Sequence, residues 1–261
     1  MSEPPLVQEI RQGAMWIRLN RPEAMNSLTP QLLAGLSAAL DEAQARDEVK
    51  AIVLTGEGRA FCAGADLKFV RADVTGPEAA AAFLQRVLAT MNRIAAFPKP
   101  VIAALNGLAL AGGLELVLCC DLVIAARSAS FLQAFSKIGL VPDTGGTWFL
   151  PQRVGMARAI GLAMLADKLP AEKAAEWGLI WQVVDDADLA ATVDKLAAQL
   201  ATMPTKALVR TRQAMHAAPT HTLEQQLSME GGFMRELGWS PDYAEGVSAF
   251  MEKRAPKFTG Q

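Results

Sequence analysis

The run VIAALNGLALAGGLELVLCCDLVIAA at residues 101–126 restricts this chain more than any other stretch. It is long enough to cross a bilayer as one helix. Yet Asn106, Glu115 and Asp121 interrupt it, as do Gly107, Gly112 and Gly113. A carboxylate at the centre of a membrane helix costs about 2.5–3.5 kcal/mol on insertion scales. The run is therefore expected to be a buried strand, a turn, a buried helix and another strand inside a core, with no membrane partner.

The flanking segments fit that expectation. Residues 14–20 read as a strand ending at Arg21-Pro22. Thr29 can cap a helix whose first position suits Pro30, and Leu32, Leu33, Leu36, Leu40 and Ala43 follow at helical spacing. Residues 51–55 form a short apolar run, 56–68 a loop entering a helix, and 78–96 an alanine-rich helix, before Pro98 and Pro100 break the chain ahead of the strand at 101–105. Alternating strands and helices argue for α/β architecture with parallel neighbours. Beyond about residue 155 the pattern turns helical: 156–166, 171–177, 187–201, 204–217, 222–237 and 241–254. The expected division is an α/β core over 1–195 and a helical C-terminal region over 196–261.

Several chemistries lack their signatures. The 25 Lys and Arg against 27 Asp and Glu give a net charge of −2, which speaks against a nucleic-acid surface. Cys62, Cys119 and Cys120 cannot form a disulfide framework, and His216 and His221 lie far from them, so no metal site is expected. The N-terminal segment has no basic stretch followed by an apolar run, so a reduced, cytoplasmic setting is expected. There is no GxSxG elbow, no GxxxxGK[ST] loop, and the glycines at 56 and 58 lack the third one of GxGxxG.

Two glycine-bearing segments remain, Phe61 to Lys68 and Asn106 to Glu115. Each follows an expected strand and enters an expected helix. Small residues there let backbone N–H groups point into a cleft and hold a developing oxyanion. They equally permit close packing of helix on strand, and the spacing alone does not decide between the two.

These segments resemble the paired oxyanion-hole motifs of the enoyl-CoA hydratase/isomerase (crotonase) superfamily. The likeness runs through Leu19-Asn20-Arg21-Pro22, Lys99 to Gly107, Cys120-Asp121 and Gly139 to Thr147. The resemblance implies a crotonase ββα spiral with perpendicular sheets, in place of one doubly wound sheet, and a helical C-terminal trimerisation region. It implies an acyl-CoA thioester as substrate, coenzyme A being part of the substrate and no further cofactor or metal. It also implies a homo-oligomer, trimer or hexamer.

Carried over residue by residue, the oxyanion-hole amides are those of Ala65 and Gly112. Ala24, Met25, Ala63, Gly64, Asp66, Leu67 and Lys68 fall where the family meets coenzyme A, though Lys68 reads equally well as a solvated surface lysine. Phe250 and Lys253 fall where a neighbouring subunit's site is reached. Glu115 matches the first glutamate of the hydratases. A glutamate in an apolar run is expensive unless paired or functional, unless it reaches solvent at a turn. The second hydratase glutamate is replaced by Phe135, which cannot transfer a proton and would form an apolar wall.

Asp143 stands where some isomerases of the superfamily carry their acid/base aspartate, including dienoyl-CoA isomerases and the ring-epoxide isomerases of phenylacetate degradation. A turn aspartate after proline is the plainer reading of Asp143. The likeness is strongest to the ring-epoxide group, over 134–148, 176–186 and 243 onward. That group lacks a glutamate at the place of Glu115. The expected activity is double-bond or ring-epoxide isomerisation in fatty-acid or aromatic-acid catabolism. Hydration of 2-enoyl-CoA through Glu115 stays open, as does a non-catalytic protein binding CoA thioesters or RNA.

Overall fold

The computed structural model describes residues 4–260. Residues 1–3 and 261 lie outside it, including part of the N-terminal segment read above for a leader. The chain opens with strands β1 (Leu6–Arg11) and β2 (Ala14–Leu19), helix α1 (Pro30–Ala45), strands β3 (Ala51–Gly56) and β4 (Ala60–Cys62), and helices α2 (Leu67–Asp73) and α3 (Pro77–Ala95). Next come β5 (Val101–Leu105), β6 (Leu108–Leu110), α4 (Gly112–Leu118), β7 (Leu122–Ala126), β8 (Ser130–Leu132), α5 (Gly146–Val154) and α6 (Met156–Leu165). The last part holds β9 (Leu169–Pro170), α7 (Ala171–Glu176), β10 (Gln182–Val184), α8 (Leu189–Ala201), α9 (Thr205–Ala217), α10 (Leu223–Leu237) and α11 (Pro241–Glu252).

Two sheets share these strands. The larger has the order β1-β2-β3-β5-β7-β10 and the smaller β4-β6-β8-β9. Only β1 with β2 and β8 with β9 run antiparallel. Successive strands go alternately to the two sheets: β3 then β4, β5 then β6, β7 then β8. That is a spiral of ββα turns, each turn adding one parallel strand to each sheet. It replaces the single doubly wound sheet that simple alternation suggests.

The burial pattern follows from this layout. β3 and β5 are buried along their whole length, as continuous apolar runs are when both faces of a parallel sheet are covered. Helix α8 packs on β3, β5 and β7 from one side. Residues 101–126 form β5, β6, α4 and β7, so the membrane-length run folds into strands and a helix and lies mostly in the core. Its three polar interruptions are each answered. The Asn106 side chain accepts from Gly56 N at 3.1 Å and donates to Gly58 O at 2.8 Å. Asp121 accepts from Val101 N at 2.8 Å and pairs with Arg212 of α9 at 3.0 Å. Glu115 is met by Gln133. Among the described residues no helix is long and apolar enough to cross a membrane.

Candidate active site

The two glycine-bearing segments come together. β4 and β6 are parallel neighbours, so the turn after each leaves the small sheet at the same end. A methyl group built on Gly64 would stand 3.0 Å from the Gly112 nitrogen, and Gly64 itself has φ +76°. Any side chain at 64 therefore meets both steric crowding and a left-handed backbone. On the other side, Ala111 holds φ +47°, which is costly for a residue with a Cβ. Its N–H donates to Leu132 O at 2.9 Å, and its carbonyl accepts Leu114 N and Glu115 N. Those bonds hold the strained peptide that ends in the Gly112 N–H.

Among the described residues, neither the Ala65 N–H nor the Gly112 N–H donates to a protein acceptor, whereas their neighbours Ala63, Asp66 and Ala111 all do. Two unsatisfied amides on adjacent turns, both of small residues, can jointly hold one oxygen atom.

Glu115 lies one turn into α4 with no solvent exposure. Its Oε1 accepts from Gln133 Nε2 at 2.8 Å. Its Oε2 has no partner, nor does Gln133 Oε1. Gly146 closes the space: a methyl group there would collide with Glu115 Oε1. Burial pushes the Glu115 carboxyl up to about 8, with the Gln133 hydrogen bond opposing and the charge of Asp143 adding to the rise. Burial thus favours the protonated form of Glu115, which can donate a hydrogen bond.

Asp143 sits in the connection between β8 and α5. Its carbonyl accepts Gly146 N at 2.8 Å and its Oδ1 accepts from Thr144 Oγ1 at 3.2 Å. Thr144 has φ +46°, so this turn too carries backbone strain next to a carboxylate. Asp143 is half-buried, and burial raises its carboxyl above the ordinary value while Thr144 opposes. Two carboxyls near enough to sense each other do not ionise together readily. Burial weighs more heavily on Glu115 than on the half-buried Asp143.

The other sequence-derived residues divide into two groups. Met25 O accepts Ala63 N at 3.0 Å, so the 3-10 turn holding Ala24 lies against the loop from 63 to 68. Leu67 and Lys68 are exposed at the start of α2. Asp66 is turned inward instead. It caps α2 through Lys68 N and Phe69 N and pairs with Arg21 at 2.9 Å. Phe135 is buried at the start of a 3-10 turn leading toward Asp143. Phe250 and Lys253 are not brought to this cluster within the chain. Phe250 is 82% exposed on α11 and lines an apolar groove with Met234, Leu237, Tyr243 and Val247.

Reading the sequence missed Gln133 and Arg21. Gln133 is a lone amide between Leu132 and Ala134 in an apolar segment, the same anomaly that marks Glu115. The cysteines are all free and buried, and burial pushes Cys62 and Cys119 up to about 12. Neither offers a thiolate at neutral pH.

A ββα spiral whose adjacent turns present free amides near a buried carboxyl is the arrangement the enoyl-CoA hydratase/isomerase resemblance implied. A crystal structure of an enoyl-CoA hydratase from Bacillus anthracis superposes with a TM-score of 0.93 at 33% identity, covering 98% of this chain and 100% of the other. The family model described as enoyl-CoA hydratase/isomerase matches residues 9–261. The chain belongs to that family. It is 48% identical over 258 residues to a 1,2-epoxyphenylacetyl-CoA isomerase of Escherichia coli strain K12, covering 98% of each. It is 46% identical over 261 residues, the full length of both, to a probable enoyl-CoA hydratase of Rhodobacter capsulatus.

Proposed function

We propose that this family member is an acyl-CoA isomerase that moves a double bond or opens a ring epoxide, with Asp143 as the proton shuttle. The observation that carries this reading is the split between the two carboxyls. Glu115 is fully buried, with burial favouring its protonated form, Asp143 is half-buried nearby, and the second glutamate a hydratase uses is replaced by Phe135.

In this reading the thioester oxygen accepts the Ala65 and Gly112 N–H groups. Their grip strengthens as the oxygen gains charge, which acidifies the α and γ protons. Asp143 takes a proton from one carbon and returns it to another. Neutral Glu115 donates a hydrogen bond or positions a water. For double-bond migration the steps are proton transfers only and call for no resident metal or redox cofactor. Coenzyme A rests along Ala24, Met25 and Ala63 to Lys68, and Phe135 forms an apolar wall.

Assembly belongs to the same proposal. The helices after residue 195, which falls within α8, form the contact of a trimer, or of a hexamer built from two trimers, and Phe250 and Lys253 reach a neighbour's site. The three buried free thiols suit a reducing cytoplasm.

Hydration of 2-enoyl-CoA is the second reading, favoured by the retention of Glu115. Assaying 2-enoyl, 3-enoyl and ring-epoxide CoA thioesters side by side separates them. Turnover is expected on the 3-enoyl or epoxide thioester. Exclusive hydration of the 2-enoyl thioester would overturn the isomerase reading, and tight acyl-CoA or RNA binding without turnover would leave a binding protein.

A further inference from the structure

Outside the reacting carboxyls, one charged cluster is tied directly to an oxyanion-hole amide. Arg21, at the end of β2, sends its guanidinium to the loop after β4. Nη1 donates to Ser27 O at 2.6 Å, and Nη2 donates to Asp66 Oδ2 at 2.9 Å. Ser27 Oγ donates to the same Asp66 oxygen at 3.1 Å. The other oxygen, Oδ1, accepts Lys68 N and Phe69 N. Every oxygen of Asp66 is therefore used, and its side chain is only 11% exposed. Arg21 is itself located, because its N–H donates to the Asn26 side chain at 2.8 Å.

The clamp surrounds residue 65. Leu28 N donates to Gly64 O at 2.7 Å, and Asp66 N donates to Leu28 O at 3.0 Å. The peptide between Gly64 and Ala65 is trans, so its N–H points opposite to its carbonyl. Anchoring the Gly64 carbonyl on Leu28 thus aims the Ala65 N–H away from Leu28. Arg21 holds both sides of that anchorage: Ser27, which precedes Leu28, and Asp66, which follows Ala65. A fork of two charge-assisted bonds fixes distance and angle together, which a single ammonium cannot do.

We propose that Arg21 and Asp66 are positioning residues that aim the Ala65 amide at the thioester oxygen. The proposal rests on the assignment of Ala65 and Gly112 as the oxyanion hole. Such donors work only when held within about 0.5 Å of the productive position. Loosening the clamp therefore weakens stabilisation of the enolate more than it weakens binding of coenzyme A. The loss falls on kcat rather than on KM.

The test uses full-length enzyme and butyryl-CoA labelled with carbon-13 at its carbonyl, read by infrared difference spectroscopy, with kcat and KM measured on the working substrate. Asp66→Asn keeps a helix-capping side chain but removes the ion pair. Arg21→Lys keeps the charge but not the fork. The wild type is expected to shift the bound carbonyl stretch to lower frequency. Both variants are expected to lose part of that shift and to lower kcat by roughly 10–100-fold, with KM changed less than about threefold. The double variant is expected to be no worse than the more impaired single one, because both act on one unit. If Asp66→Asn fails to fold, Arg21→Lys is read alone. Full retention of the carbonyl shift and of kcat, with only a lower melting temperature, would reduce the clamp to a structural brace and overturn the proposal. No carbonyl shift in the wild type would instead remove the oxyanion-hole assignment, and the clamp's role with it.

Discussion

The spiral and the C-terminal helices bury their apolar side chains very differently. In the spiral, β2, β3, β5, β7 and α4 are buried almost throughout. In α9, α10 and α11 the only buried residues are Thr205, Asp242 and Ala249. Met234 is 68% exposed, Phe250 82%, and Trp239, just after α10, 91%. The spiral completes its core within one chain and can afford strained backbone at Ala111 and Thr144. The helices leave a broad apolar surface open, larger in character than the scattered exposed apolar residues of an ordinary monomer. In the proposed function, chemistry is thus concentrated where the chain is self-sufficient, and association where it is not.

The sharpest way to break that contrast is at the crowded turn of the spiral. Gly64→Val faces the Gly112 amide and a positive φ together. It is expected to lower kcat/KM by about a thousandfold, the upper range for loss of one oxyanion donor, in a steady-state assay. Retained activity would mean the two turns do not act jointly. Truncation separates the regions next. Leu54→Ala, in β3 and 1% exposed, is expected to cost about 2–5 kcal/mol in denaturant unfolding. Phe250→Glu is expected to leave secondary structure intact while lowering the assembled mass in light scattering at micromolar concentration. A wild-type monomer at that concentration would count against the trimer.

A smaller effect tests how fully the spiral seals Glu115. Burial lifts its folded pKa to about 8, above the 4.5 of a free glutamate. Between those pH values the native state holds a proton that the unfolded chain releases, so stability falls as pH rises through that window. The slope from this group is at most about 1.4 kcal/mol per pH unit. Glu115→Gln removes the titration. Its stability relative to the wild type is expected to rise from about pH 4.5 to 8, with no further change above 8. A flat difference across that range would show a solvated Glu115.

Much of the fold is legible in the sequence because its signals are local. Thr29 does cap α1, accepting Leu32 N at 3.3 Å, and Pro30 opens that helix. The long apolar run resolved into strands and a helix because its polar residues forbade a single span. The smaller sheet was legible only through the family resemblance: β4, β6 and β8 are three residues each, too short to show a period. Helix α5 was missed because Pro151 lies inside it. Strand β1 did leave a clue, since Gln12 and Gly13 both adopt positive φ in the turn to β2, as tight hairpins require. At the site, Ala65, Gly112, Glu115 and Asp143 were named as candidates through motif resemblance. Gln133 and Arg21 were not: Gln133 shows locally only as a lone amide in an apolar segment, and the partners that give each its place stand 18 and 45 positions away.

The division of labour between the two carboxyls is tested most directly by turnover of a 3-enoyl-CoA thioester by Asp143→Asn and Glu115→Gln, measured side by side. Asp143→Asn keeps the shape and removes the base, and is expected to slow double-bond migration by roughly a hundredfold or more. Glu115→Gln is expected to keep most of that migration and to lose any 2-enoyl hydration. Full migration in Asp143→Asn together with none in Glu115→Gln would contradict the account and make Glu115 the sole acid and base.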